Sequence, residues 1–398
     1  MTYRELLNLF KNNELNESDR KALEADIEKH EAIGDYLMEQ AEMPELKSLG
    51  EIDEGTTDNK SDDFEKHINA YIRKAFMKTG AIIGAVILAV VLFVIFGLPK
   101  LVDRFYYDPG EIVGTTEFSE TNRMSMDLAV YTELFVPGNH RENVAVEDDG
   151  YGNYSVYIYQ NSSYTGVFTD IAGKLNRENL TLYNPNVLKR PTGNAFLPYM
   201  AGVNGSYRGV GAAGCPEDAF EALQRLSDGE KYIAYVTLDK VMDYEEFIAW
   251  REKSEIDPNW CAICVESRYD DPEFKYEVIG DGIGFVLGYG CCCDLAFDED
   301  KYPNLSVYSL SEIAGINPPE RDEMTKHVAS ILRYTADNPE FAAMMGNDIS
   351  CDDYYSAADR VQEQGIYIYG FTMIGKKTDM LRLDGMENIA YVYTTPVQ

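Results

Sequence analysis

Histidine is scarce: four in 398 residues, at His30, His67, His140 and His327. Neither His-Glu-x-x-His nor Gly-x-Ser-x-Gly occurs, so two familiar spacings for hydrolytic chemistry are missing and the chain is read as a non-enzyme. Positive charge is also short, with 35 Lys and Arg against 68 Asp and Glu and a net charge of −33. A phosphate backbone needs a basic surface, which excludes direct contact with nucleic acid. In so acidic a chain, Asp298-Glu299-Asp300 reads as a solvated turn rather than a catalytic pair. No cofactor is expected. Cysteine is absent before Cys215, and no internal repeat or low-complexity tract stands outside the acidic stretch 46–65.

What the chain does have is one long apolar run. Residues 79–99, Thr-Gly-Ala-Ile-Ile-Gly-Ala-Val-Ile-Leu-Ala-Val-Val-Leu-Phe-Val-Ile-Phe-Gly-Leu-Pro, carry no charge. As a helix rising about 1.5 Å per residue the run covers about 30 Å, the thickness of a bilayer's hydrocarbon core. It starts far from the N-terminus and no small-x-small site follows it, unlike a cleaved signal peptide. Lys66, Arg73, Lys74 and Lys78 precede the run, and only Lys100 and Arg104 follow closely. The positive-inside rule then places Met1 in the cytoplasm and the bulk of the chain outside, a cell-membrane protein with one span. Gly80 and Gly84, with Ala81 and Ala85, form a small-xxx-small face on which two spans could pair as a homodimer.

Before the span, residues 1–45 read as two short helices. Leu6, Leu7 and Phe10 make the apolar stripe of the first, with Tyr3. Asn16 followed by Asp19 is an N-cap with an acidic first turn. Leu23, Ile27, His30, Ile33 and Leu37 recur at helical spacing on the second, which Pro44 stops. Two helices this small bury little against each other, so the stripes suit the grooves of a partner protein. Residues 46–65 are acidic and poor in apolar side chains, as a disordered linker would be. Residues 66–78 continue as a juxtamembrane helix.

Beyond the span the chain divides into a membrane-proximal region, 100–228, and a second region, 229–398. Met126–Phe135 and Tyr154–Gln160 alternate as strands do, with turn chemistry at Asp149–Asn153. Helices are expected at 216–226, 244–251, 321–334, 339–345, 354–364 and 377–382. Strands are expected at 232–238, 260–265, 284–287, 366–374 and 389–393. That mixture is an α+β domain with helices over a mainly antiparallel sheet. Gly209-Val-Gly-Ala-Ala-Gly214 spells a dinucleotide fingerprint, but loop chemistry precedes it where a buried strand is required, so a flexible loop is expected. Cys261, Cys264, Cys291, Cys292 and Cys293 leave three readings open. They are structural disulfides or buried thiols, a weak candidate metal site, or a redox pair. In a strand, Cys261 and Cys264 would point to opposite faces.

Several stretches carry a family resemblance. Glu5-Leu6-Leu7-Asn8-Leu9-Phe10, Glu14-Leu15-Asn16-Glu17, Leu23-Glu24-Ala25-Asp26-Ile27 and Tyr36-Leu37 resemble the N-terminal anti-sigma domain of bacterial regulators. Phe64-Glu-Lys-His, Ile72-Arg-Lys-Ala-Phe-Met-Lys-Thr, Phe105-Tyr-Tyr-Asp-Pro and Tyr131-Thr-Glu-Leu-Phe-Val-Pro-Gly are similar to the N-terminal module of Firmicute sigma factor regulators. Ala234-Tyr-Val-Thr-Leu-Asp-Lys and Gly365-Ile-Tyr-Ile-Tyr-Gly-Phe-Thr-Met-Ile-Gly-Lys-Lys-Thr-Asp-Met-Leu resemble their C-terminal sensor module. The resemblance implies a single-pass anti-sigma factor. Its N-terminal helices, through Leu6, Leu7, Phe10, Leu23, Ile27, Ile33 and Leu37, would hold a sigma factor of the extracytoplasmic-function type. Its outer domain would receive an envelope signal. Many relatives hold zinc on the second helix with His-x3-Cys-x2-Cys. The corresponding positions here are Asp26, His30 and Ile33, so no zinc is expected. The Cys291–Cys293 run lies outside the pattern. The other reading is a tethered extracytoplasmic receptor for a ligand or metal.

Overall fold

Two compact units, Met1–Val86 and Ile87–Gln398, make up the computed structural model of the chain. It describes residues 9–10, 16–40, 60–117, 119–162, 167–183, 195–204, 218–268, 275–280, 282–287, 295–305, 318–347 and 350–397. In the first unit, helix α1 (Glu17–Gln40) starts where the sequence places it. The Asn16 side chain accepts the Asp19 N–H at 2.8 Å, satisfying a donor that the first turn leaves over. The partner helix expected before it lies mostly outside the described residues.

Helix α2 (Lys60–Leu92) begins within the stretch read as linker, so Lys60–Glu65 are helical. A π turn (Phe93–Gly97) and a short helix α3 (Leu98–Asp103) follow. The segment Ile72–Asp103 is long and apolar enough to cross a membrane: its apolar 18-residue window has a mean hydropathy of 3.1, and none of that window is buried in the protein. Apolar all round and uncovered, it fits a lipid environment rather than a protein core.

The second unit opens with a hairpin, β1 (Ile112–Thr115) and β2 (Glu120–Asn122). Helix α4 (Arg123–Phe135) comes next, where the alternation of Met126, Leu128 and Val130 had indicated a strand. Asn122 caps it, accepting the Ser125 N–H at 2.8 Å. Every residue from Met124 to Phe135 is buried, so no polar face marks the helical period and the pattern of period two is accidental. A four-stranded antiparallel meander follows: β3 (Asn139–Gly150), β4 (Asn153–Ser162), β5 (Val167–Asn176) and β6 (Asn179–Leu182). The remaining elements are β7 (Val203–Asn204), α5 (Ala219–Gln224), β8 (Lys231–Asp243), α6 (Tyr244–Ser254), β9 (Trp260–Glu266), β10 (Tyr276–Glu277), β11 (Ile283–Phe285), α7 (Arg321–Asp337), α8 (Pro339–Met344), α9 (Cys351–Gln364), β12 (Tyr367–Lys376), α10 (Lys377–Leu381) and β13 (Ile389–Pro396). The expected helices and strands of this stretch are therefore present, within a few residues at their ends.

The main sheet runs β13-β8-β12-β9-β10-β7, with β11 also on β9, and is antiparallel except where β10 meets β7. One face of β9 sends Cys261, Ile263 and Val265 into the larger core, beside Phe247 of α6, Val328 of α7 and Ala357 of α9. The other sends Trp260, Ala262 and Cys264 into a smaller one with Val203 and Tyr369. The larger core also takes in the inner face of the meander at Val156, Ile158, Ile171 and Leu175, with α4 among its members. Gly284 makes the β11–β9 pairing possible, since a Cβ there would lie 2.1 Å from the Cys261 carbonyl oxygen.

Candidate functional site

On α1 the apolar stripe is graded. Leu23 is buried, Ile27 half-buried, and Ile33 54% exposed. Phe10 is half-buried; Leu6 and Leu7, and the side chain of Leu37, lie outside the described residues. His30 is exposed and Asp26 with it. Along the described part of α1, the chain therefore covers Leu23 and leaves Ile33 open.

The second unit holds two buried acids on α4, and both turn toward α7. Asp127 accepts the hydroxyls of Tyr107 and Tyr334, each at 2.7 Å, and Arg123 lies 3.8 Å away. Burial pushes its carboxyl up from 3.8 to about 6, against the two tyrosine hydrogen bonds and the arginine, which pull it down. The Tyr107 hydroxyl is pushed well above its ordinary value, by burial first and then by Asp127. Six residues on, Glu133 meets His327: Oε1 lies 2.7 Å from Nε2, and both side chains are fully buried. The Val286 N–H also donates to Oε1, at 3.3 Å. His327 Nδ1 is 2.9 Å from the carbonyl oxygen of Asn304. A carbonyl only accepts, so Nδ1 carries a proton, and one further proton is shared between Nε2 and the carboxyl. His327 and Tyr334 are seven residues apart, two turns of α7, and so share its face. Trp260 completes the arrangement, its indole N–H donating to the Glu133 carbonyl at 2.7 Å. A small cavity beside Asp127 is lined by Tyr131, Phe135, Tyr334, Asn338 and Phe341. At about 10 Å³ it has room for about one water molecule, not for an organic ligand.

The sequence reading missed this α4–α7 network. Its acids look like any others in the chain, and His327 is one of four histidines with no motif around it. The cysteines resolve partly. Cys261 and Cys264 are free thiols, both fully buried and on opposite faces of β9, so they cannot chelate one ion together. Burial raises both thiols well above their ordinary value, which makes them poor nucleophiles. Cys291, Cys292 and Cys293 lie outside the described residues, as does Gly209–Gly214. Among the described residues no group of three His, Cys, Asp or Glu side chains is placed to hold a metal.

The pKa of Asp127 has a consequence for stability. Because it is higher in the folded state, folding is favoured by protonation: this contribution is full below about pH 4 and is lost as pH rises through about 6. A shift of about two units corresponds to about 3 kcal/mol. An Asp127→Asn variant lacks that dependence. Between pH 4.5 and pH 7.5 its stability should therefore gain on the parent's by about 2 kcal/mol. Urea denaturation at the two pH values, followed by the fluorescence of Trp250 and Trp260, measures it. An unchanged difference would show that Asp127 does not titrate in this range.

The described residues thus hold one helix long and apolar enough to cross a membrane, a helix before it and an α+β unit after it. Residues 223–393, from α5 to β13, match the family described as sigma factor regulator C-terminal. The match covers less than half of the chain and supports a regulator of the anti-sigma kind. No curated protein and no solved structure matches the chain.

Proposed function

We propose that the protein is a single-pass membrane anti-sigma factor. Helix α1 and the segment before it hold a sigma factor of the extracytoplasmic-function type in the cytoplasm, away from core polymerase. The C-terminal unit lies outside and answers an envelope signal. The observation that carries this reading is the sigma regulator match at 223–393 in a chain that also has a lipid-type helix at Ile72–Asp103. Arg73, Lys74 and Lys78 before the apolar run favour a cytoplasmic Met1. Half-buried Ile27 and exposed Ile33 on α1 supply the kind of apolar surface that lies in a partner's groove.

The test is co-purification. The full-length chain, solubilised from membranes of cells that express it with the sigma factor encoded beside it, should retain that sigma factor in a defined ratio. Retention of none would return the molecule to the class of tethered extracytoplasmic receptors. Release of the sigma factor in response to a stimulus applied outside would place the receiving end in the C-terminal unit.

A further inference from the structure

Pro99 has no N–H to give to the helix it sits in. The Leu98 N–H bonds the Phe93 carbonyl five residues back, in the wide register of the π turn. Val94 is thereby deprived twice. The Leu98 N–H that an α-helix would give it is spent on Phe93, and the donor one residue further on would be Pro99. The Val94 carbonyl is met from outside the helix: the Tyr151 hydroxyl donates to it at 2.9 Å. Tyr151 is the tip of the β3–β4 hairpin and has a left-handed backbone, φ 58°, between Gly150 at 81° and Gly152 at 74°. Tyrosine adopts that conformation at a cost, and such outliers cluster where a function holds them.

The tip is fastened at three more points. Gly152 N–H donates to the Asp103 carboxylate at 2.6 Å, and the Arg177 N–H donates to the Gly152 carbonyl at 2.6 Å. The Arg177 guanidinium lies over the Tyr106 ring, 5.2 Å from its centre. A Cβ on Gly152 would come within 2.9 Å of that same ring. Two turns of the meander thus close on the end of the helix.

We propose that this hairpin tip is a membrane-interface site, whose partner is the lipid of the outer leaflet. The proposal rests on reading Ile72–Asp103 as a span. Val94 lies five residues inside the end of the apolar run, about 7 Å in at 1.5 Å per residue. The Tyr151 ring therefore sits among the upper acyl chains with its hydroxyl on a backbone group that lipid cannot satisfy. Tyrosine is the residue type enriched at that depth. Exposed Leu101 and Phe105 continue the apolar surface, and Lys100, Arg104 and Arg177 supply cations at headgroup level. The same contacts make the tip the link through which a change in the meander reaches the span.

Fluorescence quenching tests the site. The full-length chain carrying Tyr151→Trp is placed in vesicles whose phospholipids are brominated high on the acyl chain. Its added emission, above that of the buried Trp250 and Trp260, should be mostly lost. Tyr159→Trp, eight residues along β4 and about 26 Å away at 3.3 Å per residue, should keep its emission. Unquenched emission at 151, from a chain that stays with the vesicles through an alkaline wash, overturns the site and leaves the anti-sigma reading standing. A chain that washes off overturns the membrane reading and this site with it. The link is tested by Tyr151→Phe, which keeps the ring and removes the donor. Amide exchange over Phe93–Asp103 should become several-fold faster; unchanged exchange overturns the link.

Discussion

Ile33→Asp in the full-length chain should abolish retention of the sigma factor and switch on the sigma-dependent genes without a stimulus. Ile33 is 54% exposed, so the aspartate meets water in the free protein and α1 pays little for it. In the complex, the proposed function puts this side chain in an apolar groove, where a carboxylate must be desolvated. Central apolar anchors are worth about 2–4 kcal/mol when truncated, about 30-fold to 1,000-fold in affinity, and a buried charge costs more. Ile27→Asp should act alike, though Ile27 is half-buried and part of its effect falls on the helix itself. Leu23 is a poor probe, because it is already buried within its own chain and its loss would loosen the unit directly. Membrane insertion should be unchanged in both variants. The measurements are co-purification and a transcriptional reporter in living cells, which also depends on Met1 facing the cytoplasm. Full sigma retention by both aspartate variants would remove α1 from the interface.

The second large effect belongs to the α4–α7 network. His327→Leu should destabilise the C-terminal unit by about 3–5 kcal/mol, because it breaks one side of a fully buried acid–imidazole pair. Glu133→Leu should cost a similar amount by removing the carboxylate that Nε2 of His327 faces. The double variant should lose much less than the sum, since two apolar side chains can fill the same space without an unpaired charge. Denaturation followed by tryptophan fluorescence suits the purpose, as Trp260 donates to the Glu133 carbonyl and reports the site itself. Additive losses in the double-mutant cycle would show that the two side chains act independently.

These sites differ in how far they could be read from the chain. Helix α1 was legible because a helix repeats every 3.6 residues, and Leu23, Ile27, His30, Ile33 and Leu37 recur at that spacing within one element. The Asn16 cap was legible for the same reason, its hydrogen bond spanning three residues. Asp127 and Glu133 were not. Among 68 acids nothing local distinguishes them, and their partners Tyr334 and His327 lie 207 and 194 positions away.

What the sequence by itself determined is what depends on short range. The apolar run long enough to span a bilayer, the alternation of β4, and the opposed faces of Cys261 and Cys264 all follow from side-chain period and chain geometry. Tertiary structure decided the rest. It made Arg123–Phe135 a helix, because burial on every side removes the polar stripe by which a helix is recognised. It also chose which of many acids would give up water, and which tyrosine would answer the carbonyl that Pro99 leaves without a donor. Those choices depend on which side chains long-range packing brings together, and no local pattern records them.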